Sequence, residues 1–241
     1  MTLLLLAGSG EARVIAQALQ GRDVIASLAG VTRDPVPLAV PARHGGFGGE
    51  AGFRDFLARE NIHAVLDATH PYAAQITART AAVCADLGLP FCQVLRPPWV
   101  PKAGDLWTEI ATEAEAAAHI PQGAVVFLGT GRQSLPGFAN LAGRRVICRQ
   151  IDPPDGPFPF AGGSYLVGRP PFSVADETAL FQRLGVDWLV VKNAGGQASA
   201  TKLIAARALG IPVLMLARPA LGDWPKVDHV VAALDWVARC G

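Results

Sequence analysis

The sequence has little of what marks several large classes of protein. Charged residues make up only 17% of its 241 positions, the formal net charge is +1, and like charges are not clustered. A nucleic-acid or membrane-surface role therefore lacks its usual electrostatic pattern, and we expect neither partner. The four cysteines and five histidines show no metal-ligand spacing, so we expect no metal site and free thiols in a reducing compartment.

Familiar catalytic and targeting signals are missing as well. The sequence holds no P-loop and no G-x-S-x-G motif. Neither tyrosine precedes a lysine at the spacing of the short-chain dehydrogenases, because Ile76 follows Tyr72 and Arg169 follows Tyr165 at that position. The leucine-rich start has no basic flank and soon meets a glycine turn, and no apolar run is long enough to span a membrane. We therefore expect a cytoplasmic protein.

What the sequence does have is a high apolar content arranged as alternating strands and helices. Hydrophobic residues make up 51%, which suits parallel sheets buried on both faces. The pattern predicts strands at 3–7, 23–28, 64–67, 91–95, 124–129, 145–150, 187–192, 212–216 and 228–231. It predicts helices at 11–20, 51–60, 71–87, 174–184, 198–209 and 232–239. This alternation is typical of an α/β fold built from βαβ units.

The second half of the chain repeats features of the first. One apolar run ends in Gly8-Ser9-Gly10 and another in Gly129-Thr130-Gly131, an offset of 129 − 8 = 121 positions. The phrases Leu-Gly-Leu-Pro at 87–90 and Leu-Gly-Ile-Pro at 209–212 each precede an apolar run and an Arg-Pro pair. The repeat predicts two Rossmann-like parallel-sheet domains with a cleft between them. Common ancestry of the halves and shared architecture alone both remain open.

Proline content suggests where the domains divide. Three of the five residues at 97–101 are prolines, which makes a stiff, non-helical connector. We therefore expect an N-terminal domain at 1–97 and a C-terminal domain at 98–241. The segment 152–163 holds four prolines and three glycines. It is either a long loop over the cleft or a solvated surface loop.

The turn after the first strand is a candidate phosphate site. Gly8 and Gly10 follow a strand and open a helix, and glycines there let a pyrophosphate approach backbone N–H groups. Arg13 occupies the position of the third glycine in the dinucleotide fingerprint. The alternative is a tight turn in which Ser9 caps the helix.

The second predicted strand favours NADP over NAD as the cofactor. It ends without the carboxylate that would hold an unphosphorylated ribose, and leads instead to Ser27, Thr32 and Arg33. Hydroxyl groups and an arginine can accept a 2′-phosphate, which a carboxylate would repel. For Arg33 alone, a solvent-facing position explains the residue equally well.

Two later segments carry further candidates for ligand binding. The segment 44–49 contains four glycines, which suits either backbone lying against a flat ligand or a mobile connector. The segment 67–72 follows a central strand and supplies a carboxylate, the hydroxyl of Thr69, the imidazole of His70 and the phenol of Tyr72. It lies where open sheets bind ligands. The alternative is that Thr69 or His70 caps the helix and Asp67 only makes hydrogen bonds at the strand end.

The second half supplies a set of hydroxyl, amide and cationic residues at strand ends. These are Thr130, Gly131 and Arg132 after one strand, Lys192 and Asn193 after another, and Lys202 on the following helix. Cations at such an edge suit an anionic substrate. The alternative is that the lysines lie at the surface without a ligand.

Together these residues resemble the precorrin-6A reductases of cobalamin biosynthesis. The opening at 6–13 is similar to the family's glycine-threonine-x-Glu-Ala-Arg sequence, with Ser9 in place of threonine. Ala194 stands where the family usually has serine, so we infer no hydrogen bond from that side chain. The most specific part is Asp-Ala-Thr-His-Pro with Gly-Gly-Phe-Gly-Gly upstream. The resemblance covers nearly the whole chain and extends over 27–30, 45–49, 67–73 and 192–196, with Lys202.

The resemblance implies an NADPH-dependent reduction of one double bond of the precorrin-6A macrocycle, which gives precorrin-6B. With the residue pattern described above, we expect Gly8, Ser9, Gly10, Arg13, Ser27, Thr32, Arg33 and Thr69 to bind the cofactor and His70 and Tyr72 to be catalytic. We expect Thr130, Gly131, Arg132, Lys192, Asn193 and Lys202 to bind the anionic tetrapyrrole. A cobalt-precorrin-6A reductase and a non-catalytic NADP-sensing module are the alternatives. The sequence leaves the oligomeric state open, and a monomer is compatible with it.

Overall fold

The strands of the structure form two six-stranded sheets. The computed structural model describes residues 1–30, 33 and 36–240, and within them every strand pairing is parallel. The first sheet contains β1 (Thr2–Ala7), β2 (Val24–Leu28), β3 (Ala42–His44), β4 (Ile62–Ala68), β5 (Phe91–Val94) and β12 (Lys226–Val227). The second contains β6 (Trp107–Ile110), β7 (Val125–Leu128), β8 (Arg145–Gln150), β9 (Gly163–Val167), β10 (Trp188–Lys192) and β11 (Val213–Leu216).

The two sheets have the same arrangement of five strands. The order is β12-β5-β4-β1-β2-β3 in the first and β6-β11-β10-β7-β8-β9 in the second, so one edge strand comes last in the chain in the first sheet and first in the second sheet. The strand β1 is central in its sheet, between β2 and β4, and β7 is central in the other, between β8 and β10. The strand order reverses at these central strands, and open α/β sheets bind ligands beyond the carboxyl ends of strands at such a point. The expected α/β fold with two parallel-sheet domains is confirmed.

Seven α-helices are described, with two 3₁₀ segments. They are α1 (Gly10–Ala18), α2 (Gly49–Arg59), α3 (Ala74–Leu87), α4 (Ala116–His119), α5 (Val174–Leu184), α6 (Thr201–Leu209) and α7 (Val230–Cys240), with 3₁₀ turns at Glu113–Glu115 and Arg132–Leu141. The helix expected at 71–87 begins only at Ala74. Its proposed first turn instead closes as a separate turn, in which the Ala73 amide donates to the His70 carbonyl at 2.8 Å.

The central strands are apolar because both faces of each sheet are covered. Leu3, Leu4, Leu5 and Leu6 are at most 2% exposed. Leu3 and Leu5 belong to one core cluster and Leu4 and Leu6 to the other, as the alternation of side chains along a strand requires. A continuous apolar run is the expected signature of such a strand.

Three edge strands were not predicted, and one predicted strand is wrong. β3, β6 and β9 are partly exposed and carry no continuous apolar run. The strand expected at 228–231 is not formed there, because α7 begins at Val230 and the short strand β12 precedes it.

The chain divides into two compact units, and one boundary differs from the prediction. Unit 1 comprises 1–97 and 219–241, and unit 2 comprises 98–218. The expected assignment of 98–241 to one domain is therefore wrong at its end. The C-terminal segment packs on unit 1: Lys226 and Val227 pair with β5, and Ala233 and Val237 are buried in the same cluster as Leu3. The cleft expected between the domains stays a prediction.

Candidate functional site

In unit 1 the turns after β1 and β4 lie side by side. A Cβ added at Gly8 would sit 3.5 Å from the Cα of Thr69 and 3.6 Å from the backbone nitrogen of His70. β1 and β4 pair up to Ala7 and Ala68, so both turns leave the sheet at the same level. The parallel pairing therefore brings two segments together that are about sixty positions apart in sequence.

The hydroxyl of Ser9 links these two turns. Ser9 is the N-cap of α1, and its Oγ accepts from the Ala12 amide at 3.2 Å. The same Oγ donates to the carbonyl of Ala68, the last residue of β4, at 2.7 Å. The capping alternative is therefore correct for this side chain. Its structural role leaves backbone N–H groups as the part of the turn that would meet a phosphate.

Gly10 begins α1, and there is open space beside it. A Cβ added at Gly10 would meet no atom within 4 Å, so the protein itself does not require glycine here. Arg13, one turn along the helix, is exposed. A glycine that packing does not demand is consistent with a ligand that approaches the backbone closely.

An ion pair neutralises the acidic residue in this turn. Glu11 lies in the first turn of α1, where its carboxylate would repel a phosphate. The Arg96 guanidinium donates to Glu11 Oε2 at 2.6 Å, and their side chains are only 13% and 24% exposed. Arg96 lies just beyond β5. Arg96 belongs to the repeated Arg-Pro phrase, but the sequence pattern alone did not predict a role for it.

The buried side chain of Asp67 holds the turn after β4 by hydrogen bonds. Its carboxylate is fully buried, accepts from Thr77 Oγ1 at 2.6 Å and accepts from the Thr69 amide at 2.9 Å. Burial raises the pKa of Asp67, and the hydrogen bonds from Thr77 and Thr69 act in the opposite direction. Asp67 is thus a strand-end hydrogen-bonding residue, and it fixes the two residues that follow.

The side chains beyond Asp67 are candidates to contact a ligand. Thr69 Oγ1 is buried and has no hydrogen-bond partner among the described residues. His70 Nδ1 accepts from the Tyr72 amide at 3.3 Å, which makes this nitrogen an acceptor and assigns the proton to Nε2. The rings of His70 and Tyr72 are 5.7 Å apart. The structure therefore brings the two predicted catalytic residues together, beside the turn after β1.

An arginine that sequence reasoning missed lies on the strand beside the end of β2. Arg43, on β3, donates to Ser27 Oγ at 2.8 Å and to the carbonyls of Gly45 and Gly46 at 2.9 and 2.8 Å. Its guanidinium also lies 4.2 Å from the centre of the Phe47 ring. Burial, followed by repulsion from a second arginine, lowers the pKa of Arg43. The register of β2 and β3 was the missing signal, because β3 was not predicted.

The other two residues predicted to bind this phosphate, Thr32 and Arg33, follow β2 in the sequence. Arg33 is exposed. Thr32 lies outside the described residues. No carboxylate occurs at 24–30, the described end of this strand and the start of its loop.

In unit 2 the corresponding glycine turn opens a different structure. Gly131 has a φ of 79° and is followed by the 3₁₀ segment Arg132–Leu141, which contains Pro136. Thr130 is 8% exposed, and its Oγ1 has no hydrogen-bond partner among the described residues. Arg132 donates to Asp155 Oδ2 at 3.2 Å. The predicted substrate residues at this turn are therefore adjacent, but they do not stand at an α-helix terminus.

Two lysines lie near this turn at the carboxyl end of β10 and the start of α6. Lys192 is partly buried, and burial lowers its pKa against an opposing effect of Glu113. The Lys202 ammonium donates to the Ser199 carbonyl at 2.6 Å. Burial, with a smaller contribution from Arg149, lowers the pKa of Lys202 to about 8. Lysines with depressed pKa values cluster at functional sites.

Lys202 is in contact with the turn after β7 and close to a buried ion pair. A Cβ on Gly129 would lie 3.5 Å from Lys202 Cδ. Arg149 and Glu177 form a bidentate pair at 2.8 and 2.7 Å, with side chains 9% and 1% exposed. The charges of Arg149 and Glu177 cancel each other, so this pair does not neutralise the positive charge of Lys202.

Asn193 has a structural role that the sequence did not reveal. Its Oδ1 accepts from the Trp99 amide at 2.8 Å and its Nδ2 donates to the Trp99 carbonyl at 3.1 Å. Arg218 in turn donates to the carbonyls of Asn193 and Ala194 at 2.8 and 3.1 Å. The loop after β10 is thus held by the connector at 97–101 and by the arginine of the second Arg-Pro phrase.

Two absences apply to the described residues only. Among residues 1–30, 33 and 36–240 no three histidine, cysteine, aspartate or glutamate side chains are grouped so that they could hold a metal ion. Within the same ranges no helix combines the length and apolar character needed to cross a membrane.

Comparison with known proteins gives full-length matches. A family model described as Precorrin-6x reductase CbiJ/CobK matches residues 2–238. The precorrin-6A reductase of Rhodobacter capsulatus is 41% identical over 242 residues, 99% of this chain and 96% of the relative. That of Rhodococcus erythropolis is 44% identical over 98% of this chain and 96% of the relative. A solved structure described as CobK precorrin-6A reductase has a TM-score of 0.95 and 42% identity, and the match covers 100% of this chain and 98% of that one.

Proposed function

Because the chain belongs to the precorrin-6x reductase CbiJ/CobK family, we propose that it reduces one double bond of the precorrin-6A macrocycle with NADPH and thereby forms precorrin-6B. The observation that carries this proposal is the match to precorrin-6A reductases at 41% and 44% identity over nearly the whole chain. The overall reaction consumes one NADPH and one proton and releases NADP⁺. We place it in the cytoplasm, where buried free thiols such as Cys84 and Cys92 stay reduced.

The residues around the first glycine turn fit a nicotinamide dinucleotide. Open space beside Gly10 leaves room for a pyrophosphate against the N-terminus of α1. Arg96 offsets the charge of Glu11 in that turn. Thr69 lies beside Gly8, and its hydroxyl can donate to a phosphate or ribose oxygen. We propose that Gly8, Ser9, Gly10 and Thr69 form this cradle, with Arg13 at its outer side.

The end of β2 supports NADPH over NADH. Cationic and hydroxyl groups, Arg43 bonded to Ser27 and the nearby Arg33, replace the carboxylate that would bind a 2′-hydroxyl. A guanidinium pairs well with phosphate because its planar donors match the oxygens. We propose that Ser27, Thr32 and Arg33 contact the 2′-phosphate and that Arg43 holds Ser27 in place.

The cations of unit 2 support binding of the carboxylate arms of the ring. We propose that Arg132, Lys192 and Lys202 each take one arm, and that Thr130 and Gly131 contribute a hydroxyl and a backbone N–H. Thr130 supports this role because its buried hydroxyl has no partner among the described residues. Asn193 acts indirectly by fixing the loop that carries Lys192.

When bound, NADPH supplies the hydride, and the chain's own residues position the reactants and manage the proton. His70 presents Nε2–H as a donor because its Nδ1 is occupied by the Tyr72 amide. We propose that His70 orients the substrate or the nicotinamide amide, with Tyr72 beside it, and that water supplies the proton. Positioning of the reacting atoms contributes most of the rate in such a reaction.

Anaerobic turnover tests this function directly. The protein is mixed with NADPH and metal-free precorrin-6A while nicotinamide absorbance is followed, and parallel reactions contain the cobalt-loaded ring or no ring. We expect oxidation of NADPH only with a ring present, and faster with the metal-free one. Faster turnover of the cobalt-loaded ring would favour the alternative reductase, and tight NADPH binding without turnover of either ring would favour a sensing module.

A further inference from the structure

Unit 2 contains a pocket that lies beside Arg132, one of the residues proposed to bind a carboxylate arm of the ring. Its volume is about 270 Å³, and its walls include Arg132, Leu135, Gln150, Asp155, Pro159 and Tyr165. Proline and leucine side chains with one aromatic ring form the apolar part. Drug-sized ligands occupy pockets of ~300–1,000 Å³, so this pocket lies near the small end of that range and has room for a base with its sugar.

The most informative wall residue is Gln150. It is 7% exposed, and neither its Nε2 nor its Oε1 has a hydrogen-bond partner among the described residues. Leaving a buried polar group unpaired typically costs about 1–3 kcal/mol. A ligand that presents a donor and an acceptor side by side would satisfy both atoms at once.

The position of Gln150 narrows the class of ligand. It is the last residue of β8, the strand next to central β7, and residues of the loop that follows line the pocket. In a doubly wound sheet the nucleoside part of a cofactor lies beyond the carboxyl end of this second strand. Glutamine pairs with adenine through its amide, which donates to a ring nitrogen and accepts from the exocyclic amine.

We propose that this pocket is a second nucleotide site, which binds adenosine 5′-monophosphate. The base pairs with Gln150 and lies against the proline and tyrosine walls. Asp155 accepts from a ribose hydroxyl, and Arg132, which is paired with Asp155 at the same wall, donates to the phosphate. Because Arg132 is also proposed to bind one carboxylate arm of the ring, AMP and that arm compete for its guanidinium. The 3₁₀ segment after Gly131 offers no α-helix N-terminus for a pyrophosphate, which favours a mononucleotide over a dinucleotide at this site.

Calorimetric titration of AMP into the full chain saturated with NADP⁺ tests the proposal. Saturation blocks unit 1, so one equivalent of AMP is expected to bind to the remaining site. Gln150→Leu removes both amide groups at similar volume and should weaken AMP binding about tenfold or more. Gln182→Leu, which changes an exposed glutamine on α5, should leave AMP binding unchanged. The fold should tolerate Gln150→Leu, since it replaces an unpaired buried amide by an apolar group.

Base selectivity supplies a second measurement. CMP, which lacks adenine's arrangement of donor and acceptor on a purine, should bind the wild type at least about tenfold more weakly than AMP. Gln150→Glu, which loses the amide donor, should weaken AMP binding and provides a second variant if Gln150→Leu fails to fold.

No AMP binding to the NADP⁺-saturated wild type, or equal binding by Gln150→Leu, would overturn the proposal. A raised KM for the tetrapyrrole in Gln150→Leu without AMP binding would assign the pocket to a substrate arm instead. Because the titration measures binding without turnover, its failure leaves the proposed reduction untouched.

Discussion

The two units share the arrangement of five strands but differ at the turn that follows the central strand. In unit 1 the turn after β1 opens α1, and Ser9 caps this helix. In unit 2 the turn after β7 opens a 3₁₀ segment that contains Pro136. A 3₁₀ segment has poorer hydrogen-bond geometry, and proline lacks an N–H. The same central arrangement of strands therefore leads into an α-helix N-terminus in unit 1 and into a 3₁₀ segment in unit 2.

The repeated Arg-Pro phrase shows the same divergence at residue level. Arg96 follows β5 and pairs with Glu11 in the first glycine turn. Arg218 follows β11 and binds the carbonyls of the loop after β10. Each arginine binds a turn at the carboxyl end of a strand within its own unit. The partner differs, a carboxylate in one case and backbone carbonyls in the other, because the sequences of the turns differ.

The largest effect on the difference between the two units is expected from a substitution at Gly10. We expect Gly10→Val to abolish NADPH binding at concentrations that saturate the wild type, because the added methyls would stand between backbone N–H groups and the pyrophosphate. The fold should persist, since no protein atom lies within 4 Å of the added Cβ. Fluorescence titration and thermal melting check both points. Thr130→Val, in the corresponding turn of unit 2, should leave NADPH affinity unchanged; the reverse pattern would move the cofactor to unit 2.

The affinities for NADPH and NADH test whether unit 1 binds the cofactor's 2′-phosphate. We expect wild-type protein to bind NADPH about ten- to a hundredfold more tightly than NADH, since a charged hydrogen bond contributes about 1.5–3 kcal/mol. Arg33→Ala should reduce this ratio, whereas the exposed Arg22→Ala should preserve it. Equal affinities in the wild type would contradict the prediction. An unchanged ratio in Arg33→Ala would point to another residue, and Arg43 would be next.

The cationic character of unit 2 can be tested at Lys202. We expect Lys202→Met to raise the KM for the tetrapyrrole about tenfold with a smaller effect on kcat, because an arm far from the reacting carbon is bound alike in ground and transition states. The exposed Lys102→Met is the control. A loss confined to kcat would instead place Lys202 at the reacting centre.

The same lysine predicts a pH dependence. The pKa of Lys202 is lowered to about 8, so substrate affinity should fall as the pH rises through this value and the ammonium loses its charge. The unfolded chain binds the proton more tightly, so this residue's contribution to the free energy of unfolding should increase with pH between about 8 and the unfolded value of 10.5. Both effects should disappear in Lys202→Met. A KM that is independent of pH from 7 to 9 in the wild type would contradict the assignment.

The smallest effect is expected at His70. General acids typically contribute ~10²–10⁴-fold, and we expect His70→Ala to lower kcat by only about fivefold or less, because the imidazole orients and water supplies the proton. Thermal stability should change little, and no new pH dependence should appear. A thousandfold loss of kcat with intact binding would establish His70 as the proton donor. If the alanine variant melts early and His70→Asn restores stability, the residue acts as a cap.

The sequence predicted the central strands and the glycine turns that follow them because both leave strong local signals. The buried run at 3–6 and the glycines at 8 and 10 specify a strand and a turn without reference to the rest of the chain. The edge strands were missed because their apolar and polar positions are mixed and pairing with a neighbour defines them. Arg43 was missed for the same reason: it reaches Ser27 only through the pairing of β2 with β3.

By itself, the sequence determined the α/β class, the repeated plan, the family resemblance and the residues at most strand ends, since these depend on local periodicity, glycine and proline. Only the tertiary structure decided that 219–241 completes unit 1, that Ser9 joins two turns, and that Gln150 is buried beside an open pocket. The physical reason is that these features depend on contacts between distant segments. Hydrogen-bond partners, burial and pKa shifts are properties of such contacts, and no local pattern encodes them.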